Sequence, residues 1–80
     1  WNRSVAEALA RAQGLQLTED HWKLIDFVRA DYADQGATPN IRRITEGAGL
    51  STKEVYALFP KAPGRTVARV AGVPKPAGCI

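Results

Sequence analysis

Eighty residues with 45% apolar content supply one small core and no second domain, and a chain of this size buries only about 60% of its unfolded surface, leaving little room for a cleft where several catalytic groups converge. The net charge of +3 hides an asymmetry: residues 1–37 carry four Lys/Arg against six Asp/Glu, whereas residues 38–80 carry seven against two, a balance of +5. Such a half attracts polyanions, nucleic acid included, or an acidic protein surface, although a plain solvated basic face has the same composition.

Val5, Leu9, Ala8 and Ala12 fall at helical spacing and predict a short amphipathic helix over residues 4–13 that ends at Gly14. Thr18 is placed to cap a second helix, with Glu19 and Asp20 at the positive end of its dipole. Trp22, Ile25, Val28 and Tyr32 recur along it, Leu24 and Phe27 widen its apolar face, and it stops near Gly36, which makes it the core helix. Thr38 and Pro39 read as the N-cap and first residue of a third helix through Ile41, Ile44 and Thr45, ended by Gly47-Ala48-Gly49.

Ser51 and Glu54 form a capping box that opens a fourth helix over residues 55–59, and Pro60 stops it. Residues 61–64 read as a turn before a last short helix with Val67 and Val70 on one side, closed by Gly72. Nothing alternates with period two, so the expected fold is all-α: a small orthogonal bundle over residues 1–72 containing a helix-turn-helix-like unit. Two prolines and Gly78 make residues 73–80 an expected extended, flexible C-terminal arm.

One Cys and one His, far apart in the chain, cannot furnish a metal site, and glycine-rich phosphate loops are missing, so neither metal nor cofactor is expected. A single cysteine forms no intramolecular disulfide, which suits a reducing compartment; with no apolar run of membrane-spanning length and no signal-peptide pattern, a cytoplasmic protein without a membrane partner is expected. Cys79 and His21 are formally a nucleophile and base. Yet His21 sits in the first turn of the core helix beside Trp22, the place of a packing or solvated histidine.

Two features remain as functional candidates. Residues 38–59 have the grammar of a helix-turn-helix, in which Ser51, Thr52, Lys53 and Tyr56 would face a major groove, and Arg42 and Arg43 the phosphates. The same packing occurs in bundles that never touch DNA. Cys79, one residue from the C-terminus, is the other: cysteines are ordinarily buried, and this one ends a Pro/Gly-rich segment with a reach on the order of 20 Å from Gly72. Lys75, Arg65 and Arg69 are placed to favour its thiolate, and the terminal carboxylate opposes it. On the residues alone, a swinging thiol and a frayed terminus with an incidental cysteine both stand.

The words Leu58-Phe59-Pro60, Ala71-Gly72-Val73-Pro74-Lys75-Pro76 and Gly78-Cys79-Ile80 resemble the C-terminal arm of the DsrC/TusE sulfur-carrier family. Leu17-Thr18-Glu19-Asp20-His21-Trp22 and Phe27-Val28-Arg29 resemble its core helix, so the likeness spans nearly the whole chain. The resemblance implies a sulfur-relay carrier without independent turnover, which accepts sulfane sulfur as a persulfide on Cys79 and passes it to a partner enzyme. The implied partners are sulfur-donor and sulfur-acceptor proteins, in tRNA 2-thiouridine synthesis or related trafficking; the alternatives are a gamma-like subunit of a dissimilatory sulfite reductase, or a DNA-binding protein using Arg42, Arg43 and Lys53. Redox members of the family carry a second arm cysteine where this chain has Ala68, so an arm disulfide is ruled out and a one-thiol relay fits. Family members also carry a β-hairpin ahead of the region that begins here with Trp1.

Overall fold

The computed structural model describes residues 1–74, which form five α-helices and no strand: α1 (Arg3–Ala12), α2 (Glu19–Gln35), α3 (Ile41–Ala48), α4 (Thr52–Leu58) and α5 (Pro63–Ala71). The expected all-helical architecture is present. Residues 75–80, and with them Lys75, Cys79 and the expected geometry of the arm, lie outside the described residues.

The helix ends follow local chemistry. Asn2 caps α1, its side chain accepting from the Val5 amide at 2.9 Å. Gly14, at φ 74°, then closes α1: its own amide donates to Arg11 O and the Leu15 amide to Ala10 O, the paired bonds of a Schellman turn. In α4 the Ser51–Glu54 capping box is reciprocal, each amide donating to the other's side chain at 3.1 Å, and these amide and hydroxyl contacts hold the Glu54 carboxyl below its usual range.

Two expected boundaries move. Asn40, not Thr38, caps α3, accepting from the Arg43 amide at 2.9 Å, so Thr38 and Pro39 belong to the preceding loop and the Thr38 hydroxyl is free for another partner. The α5 helix also begins earlier than the hydrophobic pattern implies. Pro63 occupies its first position, where the missing N–H is no loss, and Ala62 enters it in the left-handed region at φ 44°.

Buried Ala6 and Ala10 of α1, Leu24, Ile25 and Val28 of α2, Ile44 of α3 and Val55 of α4 close around Phe59 and α5. The last helix contacts α1, α2 and α4, and six of its nine residues are buried: Pro63, Gly64, Val67, Ala68, Val70 and Ala71. Thus α5, the last helix before residues 73–80, is the most deeply buried element of the bundle.

Asp31 and Arg43 tie α2 to α3 by a bidentate pair, Arg43 Nε to Asp31 Oδ2 and Nη2 to Oδ1, both at 2.8 Å. The guanidinium bonds hold the Asp31 carboxyl below its usual value. Because the folded state lowers that pKa, the stabilisation is complete above the ordinary carboxylate value of about 3.9 and is lost as pH falls through the lowered folded value. The urea-midpoint difference between wild type and Asp31→Asn should therefore be constant above about pH 5 and shrink steadily below about pH 4. A difference that stays unchanged down to pH 2 would contradict this account.

Candidate functional site

The residues singled out in the sequence separate into three places. Arg42 lies on the exposed face of α3 in a loose pair with Glu46, 3.5 Å away and solvated on both sides, and Lys53 is exposed on α4. Arg43, expected to meet phosphates, is instead turned back onto Asp31, and the helix that would read a groove is only seven residues long. The helix-turn-helix unit is therefore present as packing, with one of its three cations committed inside the fold.

His21 is buried at 6% exposure and spans two elements. Its Nδ1 accepts from the Thr18 amide at 3.1 Å and faces the Thr18 hydroxyl at 2.9 Å; an amide is always a donor, so the ring proton sits on Nε2, which donates to Leu58 O at 2.8 Å. Its ring meets Phe59 edge-on, centroids 5.0 Å apart. His21 thus staples the start of α2 to the end of α4, the packing rather than the solvated of the two non-catalytic roles expected for it.

Arg65 and Arg69 do come together. With Lys61, Gln13, Thr66, Ala68 and Val73 they line an open groove of about 490 Å³ along α5. Arg65 and Arg69 share one stripe of α5, Lys61 lies in the bend just before it, and none of the three cations is ion-paired among the described residues. The sequence singles out the two arginines but not Lys61, which lies in the expected turn and joins them only in the groove. Ala68, where a second thiol stands in redox members of the resembled family, is 1% exposed at the groove floor.

The third place was missed altogether. Where α5 ends, Trp1 Nε1 donates to Val70 O at 2.7 Å and Arg29 Nη1 to Ala71 O at 2.6 Å, satisfying carbonyls that a helix end leaves open. The Arg29 guanidinium lies 3.9 Å from the centre of the Trp1 ring, and its charge sits at the negative end of the helix. Gly72, at φ 74°, turns the chain out beneath the indole, and the Val73 amide bonds back to Ala68 O at 3.0 Å. Two residues further on, the Thr38 hydroxyl donates to Pro74 O at 2.7 Å. Trp1 and Arg29 give no periodic signal beyond that of core and surface, and Thr38 before a proline reads first as a cap.

Among the described residues no helix is long and apolar enough to cross a membrane, and no cluster of His, Cys, Asp or Glu could hold a metal ion. The family described as DsrC like protein matches residues 1–80. The chain is 36% identical over 87 residues to the sulfurtransferase TusE of Yersinia pseudotuberculosis, covering all of this chain and 81% of that one. It is 37% identical over 81 residues to the gamma subunit of dissimilatory-type sulfite reductase from Nitratidesulfovibrio vulgaris, covering 100% and 77% of the two. The NMR structure of Allochromatium vinosum DsrC superimposes with a TM-score of 0.89 at 37% identity, over the whole of this chain and 78% of that one. The crystal structure of the oxidized gamma subunit (DsrC) from Archaeoglobus fulgidus gives 0.82 at 35% identity, over 100% and 80%. With the family matched from end to end and the fold shared with its solved members, this chain belongs to the DsrC-like protein family.

Proposed function

We propose that the protein is a one-thiol sulfur carrier whose working atom is Cys79 Sγ. The observation that carries this reading is the sequence position of the chain's single cysteine, seven positions after Gly72, the glycine that closes the most buried helix of a DsrC-like domain. The relatives' names supply the chemistry: one is a sulfurtransferase and another a sulfite reductase subunit.

The transfer is an exchange between sulfur atoms with no net redox change. Cys79 thiolate attacks the outer sulfur of a donor persulfide, R–S–SH; the donor S–S bond breaks, Cys79–S–SH forms and the donor leaves as R–S⁻. An acceptor thiolate then attacks the terminal sulfur of Cys79–S–SH, and Cys79 thiolate is regenerated. With alanine at position 68 no internal thiol competes for that sulfur, so it leaves only to another molecule. Such a protein turns over only between partners, in the cytoplasm, and has no reaction of its own to complete.

Lys61, Arg65 and Arg69 offer an acidic donor or acceptor a cationic docking patch in the groove along α5, and Lys75 adds a further cation in the sequence ahead of Cys79. A sulfite reductase among those partners is the extension suggested by the Nitratidesulfovibrio relative. The test is intact mass after exposure to inorganic polysulfide and removal of the excess. Wild type should gain one sulfur, about 32 Da, removable by dithiothreitol, and Cys79→Ser should gain none. An unmodified wild-type protein under conditions that load a free cysteine peptide would end the proposal.

A further inference from the structure

No acidic residue follows Glu54 in the sequence, and the consequence shows along α5. Arg3, Arg42 and Arg43 each face a carboxylate, and Arg29 is spent on Ala71 O and the Trp1 ring. Lys61, Arg65 and Arg69 are instead exposed in one groove whose described lining holds no Asp or Glu. Like charges one helical turn apart repel, so the arrangement gives the fold nothing. Its geometry is nevertheless fixed. The Thr66 hydroxyl donates to Lys61 O at 2.6 Å and the Thr66 amide to Ala62 O at 2.9 Å, which holds Lys61 at the head of α5. Ala62 between them is the one non-glycine residue at positive φ among the described residues, a conformation that persists only where its surroundings enforce it.

The groove does not stop at the cations. Gln13, Lys61 and Thr66 line it and also line an adjoining, mostly apolar notch of about 150 Å³, walled further by Gly14, Leu15 and Pro60. A volume of that order accommodates a benzene-sized group, so the notch takes one aliphatic or aromatic side chain. We propose that this groove docks an acidic segment of a partner protein, with carboxylates on Arg65 and Arg69 and an apolar side chain of the same segment seated in the notch. This rests on the carrier reading above only for the partner's identity, a sulfur donor or acceptor. The charges speed encounter and set the register, and the seated side chain is the anchor. Nucleic acid would match the charge but brings no aliphatic anchor, and no aromatic ring lines the groove or the notch for a base to stack on.

The test titrates the isotope-labelled full chain with capped peptides of about twelve residues, each carrying two glutamates one helical turn apart and a leucine one or two turns to either side. For at least one peptide, amide shifts should saturate on residues 13–15 and 60–69, and the affinity should fall with added salt. The double variant Arg65→Gln/Arg69→Gln should weaken that peptide about tenfold, and alanine in place of its leucine about threefold. Both arginines are exposed, so the melting temperature of the double variant should stay within about 2 °C of wild type. Absence of a saturable shift from every peptide at about 1 mM and low salt overturns the proposal. So do equal affinity for the leucine-free peptide, shifts centred elsewhere, and tighter binding of an oligouridylate of equal charge. Dimerisation of the chain that the double variant abolishes assigns the groove to a second copy and overturns it as well. Should the double variant fold poorly, Gln13→Glu, which sets a carboxylate between groove and notch, is expected to weaken the peptide in the same sense. Failure of wild-type Cys79 to load sulfur overturns the carrier reading alone, because the titration involves no sulfur transfer.

Discussion

Replacing His21 with alanine is expected to lower the melting temperature by about 10–20 °C and to leave the thiol reactivity of Cys79 unchanged. Three losses combine. The carbonyl of Leu58, half-buried, loses its donor, and the amide of Thr18 loses the Nδ1 acceptor at the start of α2. An unmet buried polar group costs about 1–3 kcal/mol, and the Thr18 amide lies nearer solvent and takes the smaller share. The edge-on contact with fully buried Phe59 also goes, worth about 1 kcal/mol beyond its area, and a void remains beside that ring.

The sum, about 3 kcal/mol, is a large part of the roughly 4–12 kcal/mol available to a chain of this length. The experiment pairs thermal melts with the rate at which a disulfide reagent labels Cys79, measured well below the melting transition. If His21 were instead the base of a Cys–His pair, the labelling rate would fall tenfold or more while stability changed little. That outcome would reject the structural assignment.

His21 also shows what was legible in the sequence and what was not. Its place in the first turn of an amphipathic helix, beside Trp22, was enough to read it as a packing or solvated histidine rather than a base, because helix position and apolar periodicity are local properties. The bond to Leu58 was beyond reach, since that carbonyl lies 37 residues away and carries no side-chain signature, whereas Thr18 sits within one turn of His21. The same division holds elsewhere. Ser51 and Glu54 announce their cap because both partners sit within one turn, and Gly14, Gly36 and Gly72 announce helix ends for the same reason.

Thr38 was misread because the local rule and the tertiary contact compete for one hydroxyl. A threonine before a proline is a good cap on its own, but Asn40 takes that role and frees Thr38 to reach Pro74, 36 residues on. Arg43 likewise reads as a phosphate ligand until α2 brings Asp31 beneath it. The basic stripe was half seen. Arg65 and Arg69 stand four apart on a predicted helix, whereas Lys61 lies in the bend before α5 and joins them only through the groove that the three line together. Cys79 is singled out by its position in the sequence alone, and the chemistry proposed for it rests on the family.

Gly72→Ala is expected to be the most damaging small substitution near the C-terminal segment, destabilising by about 3 kcal/mol, and the pairing of strain with crowding can be separated there. At φ 74° any L side chain is strained, by about 1–2 kcal/mol for alanine. A Cβ at that position would also run into the Trp1 indole. The indole is 45% exposed, so it can swing out. In doing so it gives up its bond to Val70 O and its stacking under Arg29, together about 1–2 kcal/mol. Asparagine tolerates the left-handed region and carries the same Cβ, so Gly72→Asn should recover the strain and keep the crowding. In a Trp22→Phe background, where Trp1 is the only indole, both variants should shift the emission toward the solvent-exposed value by the same amount, while the asparagine variant melts about 5–10 °C above the alanine one. Equal melting temperatures would mean that displacement of Trp1 accounts for the whole effect. An unshifted emission would mean that the indole does not cover Gly72, and the clasp at the end of α5 would lose the support assigned to Trp1.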